Sequence, residues 1–290
     1  MKDRPATLAR IAVVGERGAV ETAALGDGRM RVEVAPDPLA MRIVRDGIPV
    51  IEELVLQACP GSARDQLIIL TEGVIAHEER GPWQPLRSTL LRRADDGIEA
   101  EATAPCAPRV EARFSVPADD RVLVELEPAG GDPLRLGATW PARREEALTG
   151  LGARHGLTFN QRGRRVLLGA DRRYTGPDCP PELLAEGGIP QGDYAPVPWL
   201  LSSSGWAAWL ETAGVGVEAD LSGDAVSVSL RAAAGPLRLH LFCQPTPAAR
   251  LRSFLAETGL PALLPEWAYG HWKSRDVYEH QDDVEEDWHG

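Results

Sequence analysis

A chain of 290 residues, 43% hydrophobic and 26% charged, is long enough for one large or two modest globular domains. Its formal net charge of −12 argues against non-specific nucleic-acid binding and against an anionic membrane surface, because both need a basic field. No apolar run approaches the roughly 18 to 20 residues of a membrane span, and Met1–Pro5 carries charge without a signal-like core, so a cytoplasmic protein is expected.

Cys59, Cys106, Cys179 and Cys243 are widely spaced and form no C-x-x-C pair. That spacing argues against a disulfide framework or a zinc site and predicts reduced thiols. No cofactor and no metal are expected.

From Arg29 to Ile51 the pattern is β. Pro36-Asp37-Pro38 turns the chain, and Arg45-Asp46-Gly47 is a hairpin turn before Ile48–Ile51. Gln66–Leu70 reads as a short buried strand. Glu72–Ser88 is expected to pair with Thr89–Arg93, and Ile98–Thr103 alternates after a turn at Asp95-Asp96-Gly97. Arg121–Glu127 is a clear strand with Val122, Val124 and Leu126 on one face.

Gly150-Leu151-Gly152-Ala153-Arg154-His155-Gly156 is Gly-rich, but it lacks the Lys-Ser/Thr of a phosphate loop and no helical pattern follows it. Phe159–Asp171 then carries Asn160, Gly163 and Asp171, and 174–193 is a Pro/Gly-rich loop of the length usually found only where it is functional or disordered. Tyr194–Glu211 reads as a hairpin turning at Ser203-Ser204-Gly205. Trp199, Trp206 and Trp209 on it could stack on a sugar, but at strand spacing they read better as core.

Ala225–Leu230 and Leu237–Cys243 alternate. Leu237, Leu239, Leu241 and Cys243 are expected inside, with Arg238 and His240 outside and solvated. Thr246 can cap a helix that has Pro247 at its first position, Leu251, Phe254 and Leu255 on its apolar face, and Gly259 at its end. Trp267–Trp272 reads as a short buried strand ending in polar residues. His280, Asp282, Asp283, Glu286 and His289 fit no ligand spacing and read as a solvated helix face.

Several of these stretches resemble glycoside hydrolase family 31, which includes α-glucosidases, α-xylosidases and sulfoquinovosidases. The run Val32–Gly47 looks like the first strands of that family's N-terminal sandwich. Gly150-Leu151-Gly152 looks like its G-L-G-E turn, departing at Ala153. Asn160–Asp171 resembles the loop that reaches over the barrel mouth, with Leu168 and Gly169 in place of the usual Trp and Asn. Tyr194–Trp206 resembles its Y-x-x-V-P-F-x-L-S-S-x-G-Y hairpin. Pro265–Arg275 resembles the entry into its (β/α)8 barrel.

The resemblance implies a mainly β fold: a galactose-mutarotase-like antiparallel β-sandwich over 1–244, a linker helix and connector over 245–265, and the first strand of a truncated (β/α)8 barrel in 266–290. It implies that Asp171 contacts the sugar in the cleavage subsite, where a carboxylate can accept paired hydroxyl hydrogen bonds. On the residues alone, Asp171 reads equally well as a turn residue capping its own backbone. Arg275 and Asp276 would stand at the carboxyl end of the first barrel strand, as polar sugar contacts.

Retaining glycosidases need two carboxylates about 5 Å apart. By the resemblance both belong to later barrel strands, so the chain alone is expected to be inactive. The expected partners are an α-linked sugar and the catalytic barrel, with no nucleic acid and no membrane. Outside a complete barrel, Trp267–Trp272 would be an exposed apolar strand, so 266–290 are expected to be poorly ordered or to borrow contacts. Two other readings are a free-standing sugar-binding sandwich and a mutarotase-like enzyme. The latter needs a positioned His with a carboxylate base, and neither His155 nor His240 reads as placed for it.

Overall fold

The computed structural model describes residues 23–26, 29–68, 72–79, 82–118, 120–130, 134–154, 159–168, 193–212, 217–230, 236–270 and 279–289. In chain order the strands are β1 (Ala23–Gly26), β2 (Met30–Pro36), β3 (Leu39–Arg45), β4 (Ile48–Ile68), β5 (Glu72–Glu79), β6 (Gln84–Pro85), β7 (Arg87–Ala94), β8 (Gly97–Ala104), β9 (Ala107–Ala118) and β10 (Arg121–Pro128). Next come β11 (Leu134–Pro141), β12 (Leu148–Gly150), β13 (Ala153–Arg154), β14 (Arg165–Leu168), β15 (Asp193–Ala195), β16 (Trp199–Ser202), β17 (Ala207–Glu211), β18 (Val217–Asp220), β19 (Ala225–Leu230) and β20 (Leu237–Phe242). Helix α1 (Pro247–Thr258), a 3-10 turn (Glu266–Tyr269) and helix α2 (Gln281–His289) follow.

Two large antiparallel sheets result. The first has the order β1-β2-β3-β4-β11-β19-β18-β14, with β5 and β6 paired to β4. The second runs β12-β16-β17-β20-β10-β9-β8-β7, and β13 pairs with β15 in a small ribbon. One apolar cluster lies between the sheets. Val32, Val34, Met41, Ile43, Leu54 and Leu56 enter it from the first sheet, and Phe114, Val122, Val124, Leu239 and Leu241 from the second. This is the mainly β antiparallel sandwich that the resemblance implied, in which alternate residues of each strand face the other sheet.

The hairpin at Asp46-Gly47 forms with both residues at positive φ, 49° and 79°, as a tight two-residue turn requires. Two pairings differ from expectation. Gln66–Ile68 is not a separate strand but the end of the 21-residue β4, whose last eight residues pair with β5. Arg87–Ala94 pairs with β8 rather than with the segment before it. Period two identifies a strand but not its partner, and partners here are set by contacts distant in sequence.

The chain divides into two compact units between Phe254 and Leu255. In the first unit, α1 begins as its sequence predicts: the Ala249 amide donates to the Thr246 hydroxyl at 3.1 Å, a side-chain N-cap. The residues that α1 buries are Arg250 and Phe254, spaced i, i+4, whereas Leu251 is exposed. In the second unit, Gly259 takes φ 84° and its amide donates to the Leu255 carbonyl at 2.9 Å, the left-handed helix stop that favours glycine. The strand expected from Trp267 to Trp272 is replaced over its described part by the 3-10 turn Glu266–Tyr269. Leu263 and Trp267 are 95% and 70% exposed there. Residues 271–278 lie outside the described residues. His280, Asp282 and Glu286 are exposed and Asp283 is half-buried, on α2 or just before it.

Candidate functional site

Asp171, Arg275 and Asp276, the predicted sugar contacts, lie outside the described residues, as does His155. The described structure gives the two roots of the segment that carries Asp171. The chain leaves the first sheet at its edge strand β14 and returns at β15, which pairs with β13.

Three motifs, two of them close in sequence and the third about forty residues on, meet at the returning root. Gly150, Leu151 and Gly152 all take positive φ, at 121°, 68° and 86°. The Leu151 amide donates to the Trp199 carbonyl at 2.7 Å. A Cβ on Gly150 would lie 2.3 Å from the Trp199 carbonyl oxygen, and one on Gly152 would lie 2.0 Å from that of Ala195. These glycines are therefore needed for close backbone approach to 195–199, and phosphate binding has no part in explaining them. The Asn160 Oδ1 accepts from the amides of Leu148 at 3.0 Å and Arg162 at 3.1 Å. The Gln161 amide donates to the Leu148 carbonyl at 2.6 Å. The Gly-rich turn, the Asn160–Gly163 loop and the Trp199 hairpin are thus one bonded assembly.

The hairpin turn of β16 and β17 is pinned from below. Glu146 is buried, with Ser202 Oγ donating to one carboxylate oxygen and the Arg143 amide to the other at 2.8 Å. Arg250 of α1 donates to the Gln244 carbonyl at 2.8 Å and to the Ser202 carbonyl at 3.4 Å.

At the departing root, β14 is held by a buried charge cluster. Glu218 on β18 takes Arg135 of β11 at 3.0 Å on one carboxylate oxygen and Arg165 of β14 on the other. The Arg135 side chain is 1% exposed, and Trp83 stacks on its guanidinium at 5.1 Å. The shared carboxylate compensates the burial of the Arg135 guanidinium, and removing Glu218 takes that counter-charge away from a buried cation. Sequence reading missed this cluster. Alternation around Glu218 marks which face it occupies, but not that the face is covered.

The outward face of the second sheet carries two registered rows. Trp199, Trp209, His240, Leu123 and Ser115 are consecutive cross-strand partners. Beside them Glu211, Arg238, Glu125, Arg113, Glu99 and Arg92 alternate in sign across six strands. Arg238 lies 3.2 Å from Glu211 and 3.4 Å from Glu125.

His240 corrects the sequence reading. It does point out of the core, but it is only 4% exposed. Its ring stacks on Trp209 at 4.5 Å, and Trp209 meets Phe254 of α1 edge-on at 5.4 Å. His240 Nε2 is 2.7 Å from a Glu211 carboxylate oxygen. Burial pushes its pKa down, and this outweighs the opposing pull of Glu211. Trp206 is buried in the core, as expected, and meets Trp140 edge-on at 5.2 Å; Trp199 is buried on the outward face instead, where it stacks on Phe254 at 4.5 Å, and Trp209 beside it is half-buried. Cys243 is a core thiol whose pKa burial raises to about 12. Among the described residues no group of His, Cys, Asp and Glu side chains is arranged to hold a metal, and no helix is long and apolar enough to cross a membrane.

No family model matches this chain, and no curated protein matches it. Solved structures do. A family GH31 sulfoquinovosidase from E. rectale, in complex with an aza-sugar inhibitor, matches with a TM-score of 0.60 and 16% identity over 79% of this chain and 35% of that one. A cycloalternan-forming enzyme from Listeria monocytogenes, in complex with a pentasaccharide substrate, matches with a TM-score of 0.53 and 14% identity over 89% and 33%. The chain therefore spans about a third of the length of these enzymes. At such identities the likeness is one of fold, and that fold is the mainly β sandwich described above.

Proposed function

We propose that this chain is the N-terminal β-sandwich portion of a retaining glycoside hydrolase of family 31, one that cleaves terminal α-glucosidic or related α-glycosidic bonds. In this reading the sandwich packs on a catalytic barrel and carries a loop, with Asp171, into the sugar subsite. Arg275 and Asp276 make further polar contacts at the barrel mouth. The catalytic carboxylate pair belongs to the barrel, and the chain alone does not hydrolyse substrate.

The observation that carries the reading is the bonded assembly of Gly150–Gly152, Asn160–Gly163 and Trp199–Trp206, together with the fold shared with a GH31 enzyme. Three of the stretches that resemble the family, around Gly150–Gly152, Asn160–Gly163 and Trp199–Trp206, bond to one another at the root of the proposed subsite loop. The exposed apolar side chains of Leu260, Leu263, Leu264, Trp267 and Tyr269 are consistent with a segment that continues into a larger apolar structure. The free-standing sugar-binding reading is weaker, because Trp199 and Trp206 are buried and offer no open stacking face.

The test is hydrolysis of an aryl α-glucoside and an aryl α-sulfoquinovoside. The 290-residue chain is expected to be inactive on both, and the native product active on one. Asp171→Asn in the native product is expected to lower kcat/KM by roughly 10- to 100-fold, the scale of a lost charge-assisted hydrogen bond. Full activity in that variant would remove Asp171 from the subsite.

A further inference from the structure

Helix α1 is docked on the outward face of the second sheet by Phe254, which packs on Trp199, Phe242 and Trp209, and Trp209 stacks in turn on His240. The last of these rings can be charged. With Nε2 donating to the Glu211 carboxylate, the neutral ring carries its lone pair on Nδ1. That atom is buried and has no hydrogen-bond partner among the described residues. A proton there would create a buried donor with no acceptor, on a ring pressed against an indole.

The charged groups facing the ring come from each strand packed on it. Glu211 of β17 favours the imidazolium, while Arg238 of β20 and Arg121 of β10 oppose it. Glu125 of β10 is engaged by Arg238. From α1, Phe254 closes the stack, and the nearest buried charge on that helix, Arg250, is turned to the Gln244 carbonyl.

We infer that His240 is an acid-sensitive latch: its protonation at Nδ1 disrupts the Trp209–Phe254 contact and releases the docked part of α1, while the sandwich core stays folded. Burial holds the folded-state pKa below the ordinary histidine value. A base whose pKa is depressed on folding contributes stability at pH above its unfolded value, about 6.5. That contribution falls away as pH drops below it. The core beneath is insulated, because Leu239 and Leu241, the neighbours of His240 on β20, face the other way into an apolar cluster.

Amide hydrogen exchange on the full chain tests this at about pH 7.5 and about pH 5, with rates normalised to intrinsic exchange. Protection of 248–254 is expected to fall about tenfold or more at the lower pH while β9 and β10 keep theirs. In His240→Phe, which keeps an aromatic stack without a titrating group, that protection is expected to be the same at both values. His240→Gln serves the same purpose should the Phe variant not fold. An unchanged wild-type helix, or an equal loss in the variant, would overturn the latch.

Discussion

Gly152 approaches Ala195 so closely that a methyl group on it would stand 2.0 Å from the Ala195 carbonyl oxygen. This is backbone against backbone, so no side-chain rotation can relieve it. The contact fastens the returning end of the 169–192 segment to the sandwich.

Gly152→Ala is therefore expected to destabilise the fold by more than about 3 kcal/mol, through overlap added to strain at φ 86°. Gly163→Ala is the internal control. Its φ is similar, 84°, but nothing lies within 4 Å of the added methyl group. It is expected to cost only about 1 kcal/mol, the penalty of the left-handed conformation. Urea unfolding of both variants checks the difference, and equal losses would mean that the close approach does not matter.

Glu218→Gln is expected to cost about 3 to 5 kcal/mol, because Arg135 is left buried without its carboxylate. Replacing the pair together, as Arg135→Met with Glu218→Leu, is expected to cost clearly less. Arg165, whose side chain is 36% exposed, can turn its charge to water. Denaturant midpoints of Arg135→Met, Glu218→Leu and the double variant form the cycle that decides it.

Phe254→Ala is expected to cost about 3 kcal/mol, since its ring packs on Trp199, Trp209 and Phe242. Leu251→Ala, three residues earlier on the exposed face, is expected to change stability by less than about 0.5 kcal/mol. The reverse order in thermal melts would contradict the observed docking face of α1.

The Cys243 thiol is buried and its pKa is raised to about 12. At about pH 8 it is almost wholly protonated. Ellman's reagent is expected to leave it unlabelled in the native chain and to label it once urea unfolds the protein. Peptide mapping identifies the site, and rapid native labelling would show that the strand opens.

These residues also mark how far the sequence could be read. Alternation identified β10 and β20 and put Leu239, Leu241 and Cys243 inside, because period two fixes which face a side chain takes. It could not reveal that the opposite face at His240 is covered by Trp209, on which α1 packs through Phe254. Tertiary packing decides that, so an outward position on a strand need not be a solvated one. The same limit misassigned the buried face of α1: the i, i+4 pair that docks is Arg250 and Phe254, and an arginine in that position does not look apolar. The apolar pattern at Trp267–Trp272 suggested a strand, yet strand pairing needs a neighbour, and the described part forms a 3-10 turn. The Gly-rich turn and the Asn160 loop were recognisable only as separate motifs. Their bonding to the Trp199 hairpin is a long-range relationship that no local pattern carries. Asp171, Arg275 and Asp276 remain proposals resting on resemblance.

The intact mass of the native gene product, measured from its own cells and followed by an aryl α-glycoside assay of that product, tests the central claim most directly. The account predicts a chain longer than 290 residues by roughly 250 residues or more, enough for a (β/α)8 barrel. It also predicts retaining hydrolysis that Asp171→Asn impairs. A native product that ends at Gly290 and binds sugar unaided would contradict the claim that this sandwich is part of a glycosidase.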